Sequence, residues 1–120
     1  MKEENIILKK TRDFGSRILK LYLHLKKNKI DIGLCPQILN SSTSIGANVE
    51  EAVSSSSRKD FINKQQVAYK ESQETRYRLR LLKDGKIIEK KLAESFIRDC
   101  EKIIRILTTI LNSSKGSNNS

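Results

Sequence analysis

One proline, five glycines and no tryptophan in 120 residues leave little from which to build tight turns or a ring-lined pocket. The aromatic set is three Tyr and three Phe, and Ile and Leu dominate the apolar residues, a balance that disfavours strands. One histidine, His24, excludes any site built from several imidazoles; no Cys, Asp or Glu follows it at i+3 or i+4. The two cysteines, Cys35 and Cys100, are far apart and form no CxxC, so a metal ribbon or dithiol centre has no framework. No apolar run is long enough to cross a bilayer and no signal peptide is evident, which predicts a cytoplasmic protein with reduced thiols. There is also no phosphate-binding loop: "SIGANVE" lacks the lysine and the preceding strand that such a loop needs.

What the chain does have is helical periodicity. Ile7, Thr11, Phe14, Ile18, Leu21 and Leu25 recur at alternating spacings of four and three, the seam of a bundle helix over about 6–29, with Asn5 as its N-cap. A second helix over 35–53 opens beside Pro36 and carries Ile38, Ser42, Ile45, Val49 and Ala52 inward. Its small residues, Ser41, Ser44, Gly46 and Ala47 among them, make it slim, and a mid-helix glycine costs about 1 kcal/mol unless a neighbour comes close. "SSSSRKD" ends in a capping signal, Ser57 with Asp60, and starts a third helix over 58–83. Phe61, Gln65, Ala68, Ser72, Leu79 and Leu82 point inward, and Gly85 supplies the left-handed stop. The fourth helix, 89–112, carries Leu92, Phe96, Cys100, Ile103, Leu107 and Ile110, with a second row at Ile97, Ile104 and Leu111. Residues 113–120 read as a disordered polar tail. One all-α four-helix domain follows, spanning 1–112.

The net charge of +10 draws the chain toward polyanions. Residues 1–30 hold nine Lys or Arg against three acids and residues 58–83 hold eight against three, whereas 34–53 carries only Glu50 and Glu51. The candidate nucleic-acid contacts are therefore Lys9, Arg12, Lys20 and Lys27 on the first helix, and Lys59, Lys70, Arg76, Arg80 and Lys83 on the third. Tyr77, between Lys70 and Arg80, is placed to stack on an unpaired base. The extra apolar row on the fourth helix (Ile97, Ile104, Leu111) and Leu19 and Leu23 on the first are candidates for a subunit interface. No constellation supports catalysis, and neither a catalytic residue, a metal nor a cofactor is expected.

The strings "QILNSSTSIGANVEEA" and "DFINKQQVAYKESQETRYRLRLL" resemble the four-helix bundle proteins first noticed as reading frames inside intervening sequences of bacterial 23S ribosomal RNA genes. The resemblance runs from about Ile6 to Leu111. It implies an antiparallel up-down bundle that assembles as a ring, commonly a homopentamer, with no enzymatic activity assigned. Related accessory proteins of diversity-generating retroelements work with a reverse transcriptase and its RNA. Many relatives carry Arg where Asn40 stands, so one basic contact of theirs is missing in this chain. The function expected is thus a non-enzymatic oligomeric scaffold binding RNA or DNA without strong sequence preference. The alternative is an adaptor ring for a protein partner such as a reverse transcriptase, with charge serving solubility or steering.

Overall fold

A computed structural model of the protein describes residues 2–30 and 33–119, with side chains at 5–30 and 33–114. Four helices follow one another: α1 (Lys2–Lys27), α2 (Leu34–Val53), α3 (Arg58–Asp84) and α4 (Lys90–Asn119). There is no strand among the described residues. Each helix packs on its neighbour in sequence and α4 closes back on α1, while the diagonal pairs α1/α3 and α2/α4 do not meet. The cross-links run antiparallel. Glu51 pairs with Lys64 and Ser41 with Thr75 between α2 and α3, and Lys83 pairs with Glu94 and Arg76 with Glu101 between α3 and α4. Short connections permit nothing else, and the product is an up-down rod of 51 × 22 × 21 Å.

The inward stripes are those the spacing predicts. Ile7, Thr11, Phe14, Ile18, Leu21 and Leu25 are buried on α1, and Ile38, Ser42, Ile45, Val49 and Ala52 on α2. On α3 Gln65, Ala68, Ser72, Leu79 and Leu82 are buried, joined by Thr75, while Phe61 is only partly covered. On α4 Phe96, Cys100, Ile103, Leu107 and Ile110 are buried, but Leu92 stays 38% exposed and Ala93 takes its place. The stripe there enters three residues before Phe96 rather than four, with Ile88 covering the end of the core from the preceding turn.

Several helix ends differ from the sequence reading. Asn5 lies inside α1 and caps nothing, since the helix begins at Lys2. Pro36 occupies the third position of α2, still within the first turn where a missing amide leaves no helical bond unmade, and Gly33 precedes the helix. Ser57 caps α3 as expected, its hydroxyl accepting from the Asp60 amide at 3.0 Å. Gly85 is in ordinary right-handed geometry (φ −81°), and Lys86 holds the left-handed turn (φ 57°). The same motif ends α1: Lys29 has φ 59°, and Ile30 donates to the Leu25 carbonyl as Ile87 does to that of Leu82. In both, an isoleucine packs back on the core just after the turn, so the left-handed residue is whatever stands before it. Beyond Asn112, the expected polar tail continues as helix to Asn119. Ser120 and the side chains past Ser114 lie outside the described residues.

The slim stretch of α2 does two things. Gly46 lies against α1, where an added Cβ would stand 3.6 Å from the Thr11 carbonyl oxygen, ordinary contact distance. The close approach is real, yet a methyl group would fit it. Ser41 faces α3, where the buried Thr75 hydroxyl donates to its Oγ at 2.7 Å and so fixes the α2–α3 register. Asn48 is a local contact instead, bonding the Ser44 carbonyl at 2.9 Å within its own helix.

Candidate nucleic-acid interface

Because α1 and α3 are diagonal partners, their outer faces look in opposite directions and form no continuous surface. The nine predicted contacts do not come together. On α3 the edge facing α4 is largely offset, three cations against two carboxylates: Arg76 and Arg80 share Glu101 at 3.8 and 3.6 Å, and Lys83 lies 3.4 Å from Glu94. Lys59 and Lys70 are exposed and unpaired, but Lys70 shares a shallow groove with Glu74 and Tyr77. On α1, Lys9 is bound to Asp13 at 2.7 Å, and Arg12 borders a groove of about 920 Å³ that also holds Glu50 and Glu51. Lys20 and Lys27 remain exposed without an ionic partner.

The cations that sequence reasoning passed over are on α4. Its acids point sideways, Glu94 and Glu101 toward α3 and Asp99 toward α1. The side chains of its cations Lys91, Arg98, Lys102 and Arg105 are exposed and make no ion pair or hydrogen bond. Charge counting hid them, because residues 84–120 carry seven Lys or Arg and five acids. The 3.6-residue period separates the two sets onto different faces.

α4 lies beside α1, and Arg17 ties them: its guanidinium donates to Asp99 Oδ2 at 2.7 Å and Ser95 Oγ at 2.8 Å and sits 4.0 Å above the Phe96 ring. Toward the N-terminus of α1, Lys10, two turns before Arg17, and Lys102 line opposite sides of a cleft of about 190 Å³. Lys10 from α1 thus continues the α4 cations into one face, with Lys20 one turn beyond Arg17 on the same side of the helix; among the described residues the acids between them are already engaged, Asp13 by Lys9 and Asp99 by Arg17. α2 on the far side carries no cation at all.

The interface candidates also separate. Ile104 and Leu111 are buried within the chain, at 8% and 5% exposure, and Ile97 is partly covered, so this row widens the chain's own core instead of offering itself to a partner. Leu19 and Leu23, at 43% and 54%, do face solvent. Neither thiol does: Cys100 donates to the Ser72 carbonyl at 3.2 Å, and burial pushes it up to about 12, far from thiolate chemistry. His24 is exposed beside Asn28. Among the described residues no group of three or more His, Cys, Asp or Glu stands where it would hold a metal ion, and no helix is long and apolar enough to cross a membrane.

Four antiparallel helices around a single apolar core, with polar registration between α2 and α3, define an up-down four-helix bundle. The chain belongs to the 23S rRNA-intervening sequence protein family, whose model matches residues 3–109. It is similar to a crystal structure of a protein with unknown function from the S23 ribosomal protein family of Bacteroides thetaiotaomicron. The identity is 39% and the TM-score 0.88, covering 92% of this chain and 98% of that one. No curated protein matches.

Proposed function

We propose that this protein is a non-enzymatic scaffold that binds nucleic acid through its α1–α4 face by phosphate contacts without strong sequence preference. The observation that supports this most is the set of exposed, unpaired cations Lys91, Arg98, Lys102 and Arg105, continued by Lys10 and Lys20. Cations with no protein partner keep their charge available for phosphates, and each phosphate contact releases counterions condensed on the nucleic acid. Arg76, Arg80 and Lys83, already beside carboxylates, are supports of the α3–α4 packing in this reading.

The test is binding of labelled RNA and DNA across a potassium chloride series. Replacing Arg98, Lys102 and Arg105 together by Glu should weaken binding at low salt by at least about tenfold and reduce the slope of log K against log salt by about two to three. The pair Lys59→Glu and Lys70→Glu should leave both within about twofold. Affinity that ignores salt and the α4 substitutions would transfer the function to a protein partner, the adaptor reading.

Self-association is the second element of the proposal, supported by Leu19 and Leu23 standing exposed on α1 next to the cation-free α2. A homo-oligomer closed through this side would leave the α1–α4 faces outward and multiply their field. Light scattering on Leu19→Glu/Leu23→Glu checks it: the variant should lose mass per particle while keeping its helical content.

A further inference from the structure

We infer that the ligand of the α1–α4 face is a double-stranded nucleic acid held by its backbone, in preference to a single strand; the inference rests on the binding function proposed above. Proteins that hold single strands offer aromatic side chains on which successive bases stack, because a flexible strand must be repaid for becoming ordered. The α1–α4 face has none. Phe14 is buried, and Phe96 is buried and roofed by the Arg17 guanidinium. Tyr22 packs against the core. Among the described residues the exposed aromatic is Tyr77, 61% accessible, and it sits on α3 in the groove with Lys70, diagonally across the bundle from α1.

The shape of the face points the same way. Between Lys10 and Lys102 the surface dips only into the small cleft, and the carboxylates of Asp13 and Asp99 line it. Its charges are mixed, Lys10, Lys102 and Arg17 against Asp13 and Asp99, and Arg17 is committed to Asp99, so phosphates are favoured at its rim, on the two lysines. The guanidinium whose plane is fixed, that of Arg17, is already engaged by Asp99, Ser95 and Phe96, and the exposed Arg98 and Arg105 have no partner that would hold their planes flat for a base. The face is therefore a ridge of cations along a straight rod. From Lys91 to Arg105 it runs about 21 Å at the helical rise of about 1.5 Å per residue. A duplex offers a rigid partner to such a ridge, with one charge per about 1.7 Å of axis, about twice the density of one strand. Cations strung along one straight helix meet the phosphates of a duplex before its base edges, and discrimination between sequences is not expected.

The experiment compares duplex DNA, duplex RNA and oligo-deoxythymidine of equal length, at one salt concentration, with the full chain and with Tyr77→Ala. Both duplexes should bind at least about tenfold more tightly than the single strand, and Tyr77→Ala should change none of the three. A single strand that binds as tightly as either duplex overturns the inference, most directly if Tyr77→Ala then weakens it, which would seat the strand on α3. Failure to bind any of the three overturns the proposed function together with the inference, and so separates the two.

Discussion

At the scale of single residues, Gln65 is the outlier of the core. It is fully buried on the inner stripe of α3, and neither its amide oxygen nor its amide nitrogen has a hydrogen-bond partner. Other buried polar groups are satisfied: Thr11 donates to the Ile7 carbonyl, Ser72 to that of Tyr69 and Thr75 to Ser41. An amide desolvated without compensation costs about 1–3 kcal/mol. Gln65→Met, which keeps the length of the side chain and removes both polar ends, should therefore raise the unfolding free energy by about that amount in urea denaturation. A less stable variant would show that the amide is paired after all. Periodicity placed Gln65 inward correctly, because it follows the four-three spacing of its neighbours. Its lack of a partner was not legible, since that depends on which atoms of the other helices reach the same layer.

At the scale of elements, helix bodies were legible and helix ends much less so. Inward stripes depend on a period that any packed helix must obey, which is why the differences are confined to first turns, Leu92 against Ala93 on α4 and the partly covered Phe61 on α3. Ends depend on competition between local signals. "DGK" advertises its glycine, yet Ile87 must return to the core, and that requirement shifts the left-handed residue to Lys86. "NKI" after α1 resolves identically at Lys29. A side chain in this region is strained by about 1–2 kcal/mol, partly offset in a glycine replacement by the larger freedom of the unfolded chain. Lys86→Gly and Lys29→Gly should each stabilise the protein by about 0.5–1 kcal/mol, measurable as a higher urea midpoint with unchanged slope. Destabilisation by both would mean that the lysine side chains contribute something the backbone geometry does not show. Gly46, by contrast, signalled a close helix approach correctly, although the space there is larger than a glycine needs.

At the scale of the whole molecule, the decisive fact for function is which helices are neighbours, and no single helix contains that information. Pairing α3 with α4 sets Arg76, Arg80 and Lys83 against Glu101 and Glu94, and pairing α4 with α1 leaves another face rich in unpaired cations. The seam that creates this face is also the thinnest in the bundle, with α1 and α4 approaching over fewer residues than any other adjacent pair. Arg17 spans it, through Asp99, Ser95 and the Phe96 ring. Its side chain is about one-third exposed, at 35%, so solvent screening reduces the worth of the ion pair, and the whole cluster contributes about 1–2 kcal/mol. The α2–α3 pair, registered by Ser41 with Thr75, has no comparable weak side. Native-state hydrogen exchange should accordingly find α1 opening at lower free energy than α2 and α3. Arg17→Ala should speed exchange of α1 amides by about five- to thirtyfold while leaving the central amides of α2 and α3 at the global rate. Uniform acceleration along the chain would instead make the bundle one cooperative unit. The cationic face would then be as rigid as the core beneath it, not a surface able to open along its own middle.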